Sequence, residues 1–139
     1  MTSPTPPTAH PYLRAATAGI RHHARGLDRP PPPEPVDRAH LDALHAHLDV
    51  LHRLLDHLAT ATRPPFPGAG RHLATARTGL WRATAAVHDA FHLLPPGSAE
   101  SAECRPEPLP EGPPVLTICQ RHLAAGHIAR RKNTPTDLR

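Results

Sequence analysis

Apolar residues return along this chain every three or four positions, in four stretches separated by proline. The sharpest stripe runs through 36–62, where Leu41, Leu44, Leu48, Leu51, Leu55 and Leu58 follow a 3-4-3-4-3 spacing that puts all six on one face of a helix. In 68–94, Leu73, Leu80, Val87 and Leu94 recur at heptad spacing, with Ala76, Ala83 and Ala90 between them and Phe91 alongside. Residues 115–132 alternate Leu116 and Leu123 with Cys119 and Gly126, and 12–27 carry a shorter stripe of Leu13, Ala16, Ile20, Ala24 and Leu27 broken by Gly19. No stretch alternates apolar and polar residues at every second position, and none is rich in β-branched residues, so strands are not expected.

The 20 prolines divide these segments. They mark a tail at 1–10, a stiff connector at 29–35, a turn at 63–70 and a Pro/Glu-rich loop at 95–114, while Pro135 falls in the closing segment 133–139. The pattern predicts an all-α protein, an antiparallel bundle of three to four helices with Pro-rich connectors and disordered ends. It forms one domain over 11–132, and the leucine-rich second helix is its central element. A strict heptad can also bury its stripe against a second copy, so homodimerisation is a companion expectation.

The net charge of +4 would point to an anionic partner if the charge were gathered on one surface. It is not gathered along the sequence: successive segments 1–33, 34–62, 63–94, 95–114 and 115–139 carry +3, −3, +3, −3 and +4. An acidic second helix among basic neighbours neutralises much of it internally. The chain begins without the apolar core of a signal peptide and has no stretch long enough to span a bilayer, which predicts a cytosolic protein with Cys104 and Cys119 reduced.

Arginine outnumbers lysine fifteen to one and histidine occurs 13 times, a bias that makes histidine a casual polar residue. With Leu41 at heptad position a, His45 and His52 fall at e and His40 and His47 at g. Polar side chains at those positions cover the edges of a leucine seam, so these histidines are expected as its shoulders. A pH-responsive interface is the alternative.

Two other patterns carry metal chemistry. "HDAFH" sets His88 and His92 four apart on one helical face, and "CQRHLAAGH" sets Cys119, His122 and His127 at C-x2-H-x4-H. Imidazole and thiolate suit zinc. Against this, chance supplies about one such histidine pair in a chain this rich in histidine, and Cys119 also fits a buried seam position. The candidate metal ligands are therefore His88, His92, Cys119 and His122. The expectation of no cofactor stands first, and zinc is the alternative.

Trp81, with Arg77, His88 and His92 near it on the same helix, either covers the core against the first helix or forms a partner-binding patch. Arg130, Arg131 and Lys132 complement the carbonyl end of the last helix, and the alternative is weak, salt-sensitive contact with nucleic acid. There is no phosphate-binding glycine loop, no nucleophile elbow and no pair of carboxylates on an apolar face, so no catalytic residues are assigned. The segments "HPYLRAATAGIRHHAR", "LPEGPPVLTICQRHLAAGHIARR" and "TPTDLR" resemble a group of short actinobacterial helical proteins described only as a domain of unknown function. The resemblance implies a free-standing small protein and brings no activity or site. The first functional expectation is a non-enzymatic protein-protein interaction or regulatory module, followed by a metal-binding bundle, then weak nucleic-acid binding. The expected partners are a protein or a second copy, with no membrane.

Overall fold

Four helices form in the proline-poor stretches: α1 (Pro11–Leu27), α2 (Arg38–Thr62), α3 (Pro67–Leu93) and α4 (Ile118–Lys132). This computed structural model describes residues 9–29, 35–96, 107–108 and 114–132. Residues 1–8 of the expected tail 1–10, the tail 133–139 and most of the 95–114 loop lie outside the described residues. The fold is all-α. Among the described residues the only strand pairing joins Glu107–Pro108 to Pro114–Val115 antiparallel. No strand was expected there, and proline on both sides, lacking the amide hydrogen, keeps the pairing from extending.

The chain divides into two compact units, Met1–Pro35 and Val36–Arg139. In the first, α1 starts with proline in its first turn, where a missing amide hydrogen costs nothing. Its stripe of Leu13, Ile20 and Leu27 is exposed along its whole length.

In the second unit α2 and α3 make an antiparallel hairpin, and α4 packs on both. Asp37 caps α2 by accepting from the His40 amide at 2.8 Å. The turn at Arg63–Phe66 brings the two helices so close that a Cβ on Gly70 would sit 2.6 Å from the Arg63 Cα. Pro67 then opens α3, one residue earlier than the sequence suggested. At the open end of the hairpin, Arg38 of α2 donates from Nε to the Leu94 carbonyl at 2.9 Å and from Nη2 to that of His92 at 3.4 Å, and its guanidinium lies 5.0 Å from the Phe91 ring centre. Thr117 and Gln120 cap α4 reciprocally: the Thr117 hydroxyl accepts from the Gln120 amide at 3.2 Å, and the Gln120 side-chain oxygen accepts from the Thr117 amide at 2.9 Å. That cap starts α4 at Ile118, three residues later than the apolar pattern suggested.

The interior is not the leucine seam. His45, Asp49, His52 and Ala59 are the buried residues of α2, one position on from the leucines, which rotates the buried face by about 100°. Leu44 and Leu58 are exposed, and Leu41, Leu48, Leu51 and Leu55 only half-buried. His45 and His52, expected as shoulders, have no exposed surface at all. On α3 the buried line is Gly70, Arg77, Thr84 and Phe91, with Thr78 beside it, rather than the leucines and Val87. On α4 it is Ile118, Arg121, Ala125 and Ala129, while Leu123 is 71% exposed. The reason is that α2 serves two neighbours at once, and its small and polar side chains fit the space between them.

Several of the buried polar groups are held by specific partners. Arg77 donates from Nη1 to Asp56 at 2.9 Å, and the hydroxyls of Thr78 and Thr84 donate to the carbonyls of Ala74 and Trp81. Arg121 reaches from α4 to Asp42 and His45 on α2 and to the carbonyl of Leu116. No helix among the described residues is long and apolar enough to cross a membrane.

Candidate metal centre

The end of α3 and the start of α4 meet around three side chains. His88 and His92 project from one face of α3 a turn apart, and the reciprocal cap of α4 holds Cys119 in that helix's first turn. Partial positive charge from the unpaired amides there favours an anionic ligand. The Nε2 atoms of His88 and His92 are 3.2 Å apart, and Cys119 Sγ lies 3.7 Å from the first and 3.3 Å from the second. Among the described residues, this is the one trio of potential ligand atoms that converges.

Protons must be arranged to suit it. His88 Nδ1 is 3.3 Å from an Asp89 carboxylate oxygen. A carboxylate can only accept, so Nδ1 carries the hydrogen and the Nε2 lone pair faces the trio. A carboxylate behind a histidine in this way is the usual outer support of a metal-bound imidazole. His92 packs edge-on against Phe91, ring centres 5.1 Å apart. Its pKa is lowered, by loss of solvent first and then by His88 and Arg38, which favours the neutral ring that a metal needs.

His122, grouped with these three by spacing, is placed differently. Its ring lies flat on His88, with centres 4.0 Å apart and planes within 3°. Each ring's lone pair lies in its own plane, and one ion cannot lie in two parallel stacked planes, so the two rings do not share an ion. Its pKa is lowered by burial first and then by His88, and its Nδ1 is buried without a hydrogen-bond partner. His127 is exposed, and Cys104 lies outside the described residues.

The other sequence candidates scatter. Arg77 is buried and paired with Asp56, so it does not share an exposed patch with Trp81, His88 and His92. Trp81, expected to cover the core against the first helix, faces α4, where a Cβ on Gly126 would lie 4.0 Å from its Nε1. Arg130 and Arg131 are exposed near the end of α4, and the side chain of Lys132 lies outside the described residues.

Sequence reasoning missed the residues that connect to the trio through His88. His45 lies 6.4 Å from His88 by ring centres. Burial first, then the Arg121 guanidinium, push its pKa down to about 4. Arg121 donates to His45 Nδ1 at 3.3 Å and is bound to Asp42 besides. These contacts join residues more than seventy positions apart, and no local spacing announces them. Asp42 at the start of an acidic helix and Arg121 in a basic one offered only the complementary charge of their segments.

A family model described as a family of unknown function (DUF6238) matches residues 1–139. No curated protein matches the chain and no solved structure does.

Proposed function

We propose that this chain, which belongs to the DUF6238 family of unknown function, is a metal-binding helical protein whose ion is held by His88, His92 and Cys119. One observation carries the reading. A tetrahedral zinc ion with bonds of about 2.05 Å to nitrogen and about 2.3 Å to sulfur keeps its donor atoms about 3.3 Å (N···N) and about 3.6 Å (N···S) apart. The three separations here are 3.2, 3.3 and 3.7 Å. Two imidazoles and one thiolate favour zinc among common ions, with copper the competitor for that donor set. The Asp89 contact to His88 supports the same reading.

The test is elemental mass spectrometry of untagged, full-length protein purified without a chelating column. About one zinc per chain is expected. Cys119→Ser and His92→Ala should each abolish it while helicity by circular dichroism is kept. Metal-free wild-type protein that takes up no added zinc would overturn the proposal.

A second reading, a protein-protein interaction module, is supported by the leucines that the fold leaves outside. Leu44, Leu54 and Leu58, with Val50 at 65% exposure, leave apolar surface on α2, and contiguous exposed apolar surface marks contact sites. Leu44→Glu with Leu58→Glu should leave the monomer folded and abolish any self-association seen by sedimentation. Weak nucleic-acid binding has less support, because Arg121 is spent inside and Arg130, Arg131 and Lys132 are a small cluster with no aromatic residue interleaved in the sequence for stacking.

A further inference from the structure

Arg121 decides which nitrogen of His45 carries the proton. A guanidinium is always protonated and can only donate. Its Nε is 3.3 Å from His45 Nδ1, so Nδ1 accepts and the hydrogen of the neutral ring sits on Nε2. That N–H is wholly inside: His45 has no exposed surface, and its Nε2 has no hydrogen-bond partner in the protein. A buried donor without an acceptor is costly, and folded proteins keep one where something else satisfies it. The His45 ring lies 6.4 Å from that of His88, one of the converging trio.

The coordination chemistry asks for such an acceptor. Zinc takes four ligands, and centres with three protein ligands complete the set from solution. Among the described residues three donors converge, and His122, stacked flat on His88, is not a fourth. A doubly charged ion bound by one thiolate and two neutral rings keeps positive charge, and the Arg121 guanidinium, on the Nδ1 edge of His45, adds to it. His92 is exposed, so the centre opens to solvent.

We propose that the fourth coordination position of this centre takes a small anion from solution, bound jointly by the metal and by the Nε2–H of His45, with Arg121 as the residue that positions that ring. This rests on the metal reading above. It adds a ligand class, and it gives a role to a buried donor that the metal trio alone leaves unexplained.

The experiment uses the full chain loaded with cobalt(II), whose visible bands report coordination, and azide as the probe anion. The wild-type bands should shift saturably with azide. His45→Leu, which removes the donor, should weaken azide binding by about tenfold or more, the usual worth of a hydrogen bond to a charged group. His45→Gln, which can keep an N–H near the same point, should stay within about threefold of wild type, and cobalt affinity should be similar in all three. Bands indifferent to azide overturn the proposal, as does equal azide affinity in wild type and His45→Leu. If His45→Leu does not fold, the wild-type titration still decides. A Cys104→Ser variant that gains an azide response absent from wild type shows the position filled by a second thiolate, which also overturns it. Cobalt that fails to bind, or binds without a thiolate charge-transfer band that Cys119→Ser removes, is a different failure and sinks the metal reading itself.

Discussion

His52 is fully buried, and neither of its ring nitrogens has a hydrogen-bond partner in the protein. Burial is the main cause of its lowered pKa; Asp49 and Asp56 oppose the shift, and Arg77 and Arg53 add to it. The folded chain thus resists a proton that the unfolded chain accepts near pH 6.5. The stability linked to this is whole above pH 6.5 and is lost as pH falls below it toward the folded-state value. His45, pushed down to about 4, acts in the same direction between pH 6.5 and about 4. In excess chelator, the urea midpoint of the wild type should therefore drop between pH 7 and pH 5, and His52→Leu should flatten the drop. A pH-independent midpoint would contradict the burial of both rings. At this scale the sequence was legible where chemistry is local. The spacing of His88 and His92 marks them as a pair, and Cys119 stands out as one of two thiols. His45 and Arg121 were not legible, because what defines them is each other, across 76 positions.

The helices were legible because proline excludes itself from their interiors and leucine repeats within them, signals that are local and strong. Which face turns inward was not. The leucine stripe of α2 and the buried line differ by a single residue, and only the presence of both α3 and α4 chooses between them. On α4 the T-x-x-Q cap was the available signal for the start at Ile118, and its spacing was as plain in the sequence as the heptads. The cap also gives an element-scale prediction. Thr117→Ala should cost about 1 kcal/mol and weaken zinc binding, because the first turn that frays holds Cys119. Gly70→Ala probes the α2–α3 turn: a Cβ 2.6 Å from the Arg63 backbone forces the helices apart. A loss of about 2 kcal/mol is expected in urea denaturation, in the range of other overpacking changes. An unchanged midpoint would contradict so close an approach at the turn.

Across the second unit, one guanidinium ties α4 to α2 at several points. Arg121 binds Asp42 through its side chain and backbone, holds His45, and closes on the Leu116 carbonyl. Removing one member of such a network leaves buried polar groups unpaired, so Arg121→Leu should cost about 3 kcal/mol and loosen α4 first. Hydrogen exchange of α4 amides should rise ahead of those in α2 and α3; uniform loss would contradict a clamp. The polar interior has a further consequence, one of temperature. Buried in this unit are Ala59, Phe91, Ile118, Ala125 and Ala129, alongside His45, Asp49, His52, Arg77, Thr78, Thr84 and Arg121. Exposing hydrocarbon raises the heat capacity of unfolding and exposing polar groups lowers it. Calorimetry should therefore give an increment below the roughly 12 cal/mol/K per residue usual for globular proteins. A small increment flattens the stability curve, so cooling would gain this protein little and warming would cost it gradually.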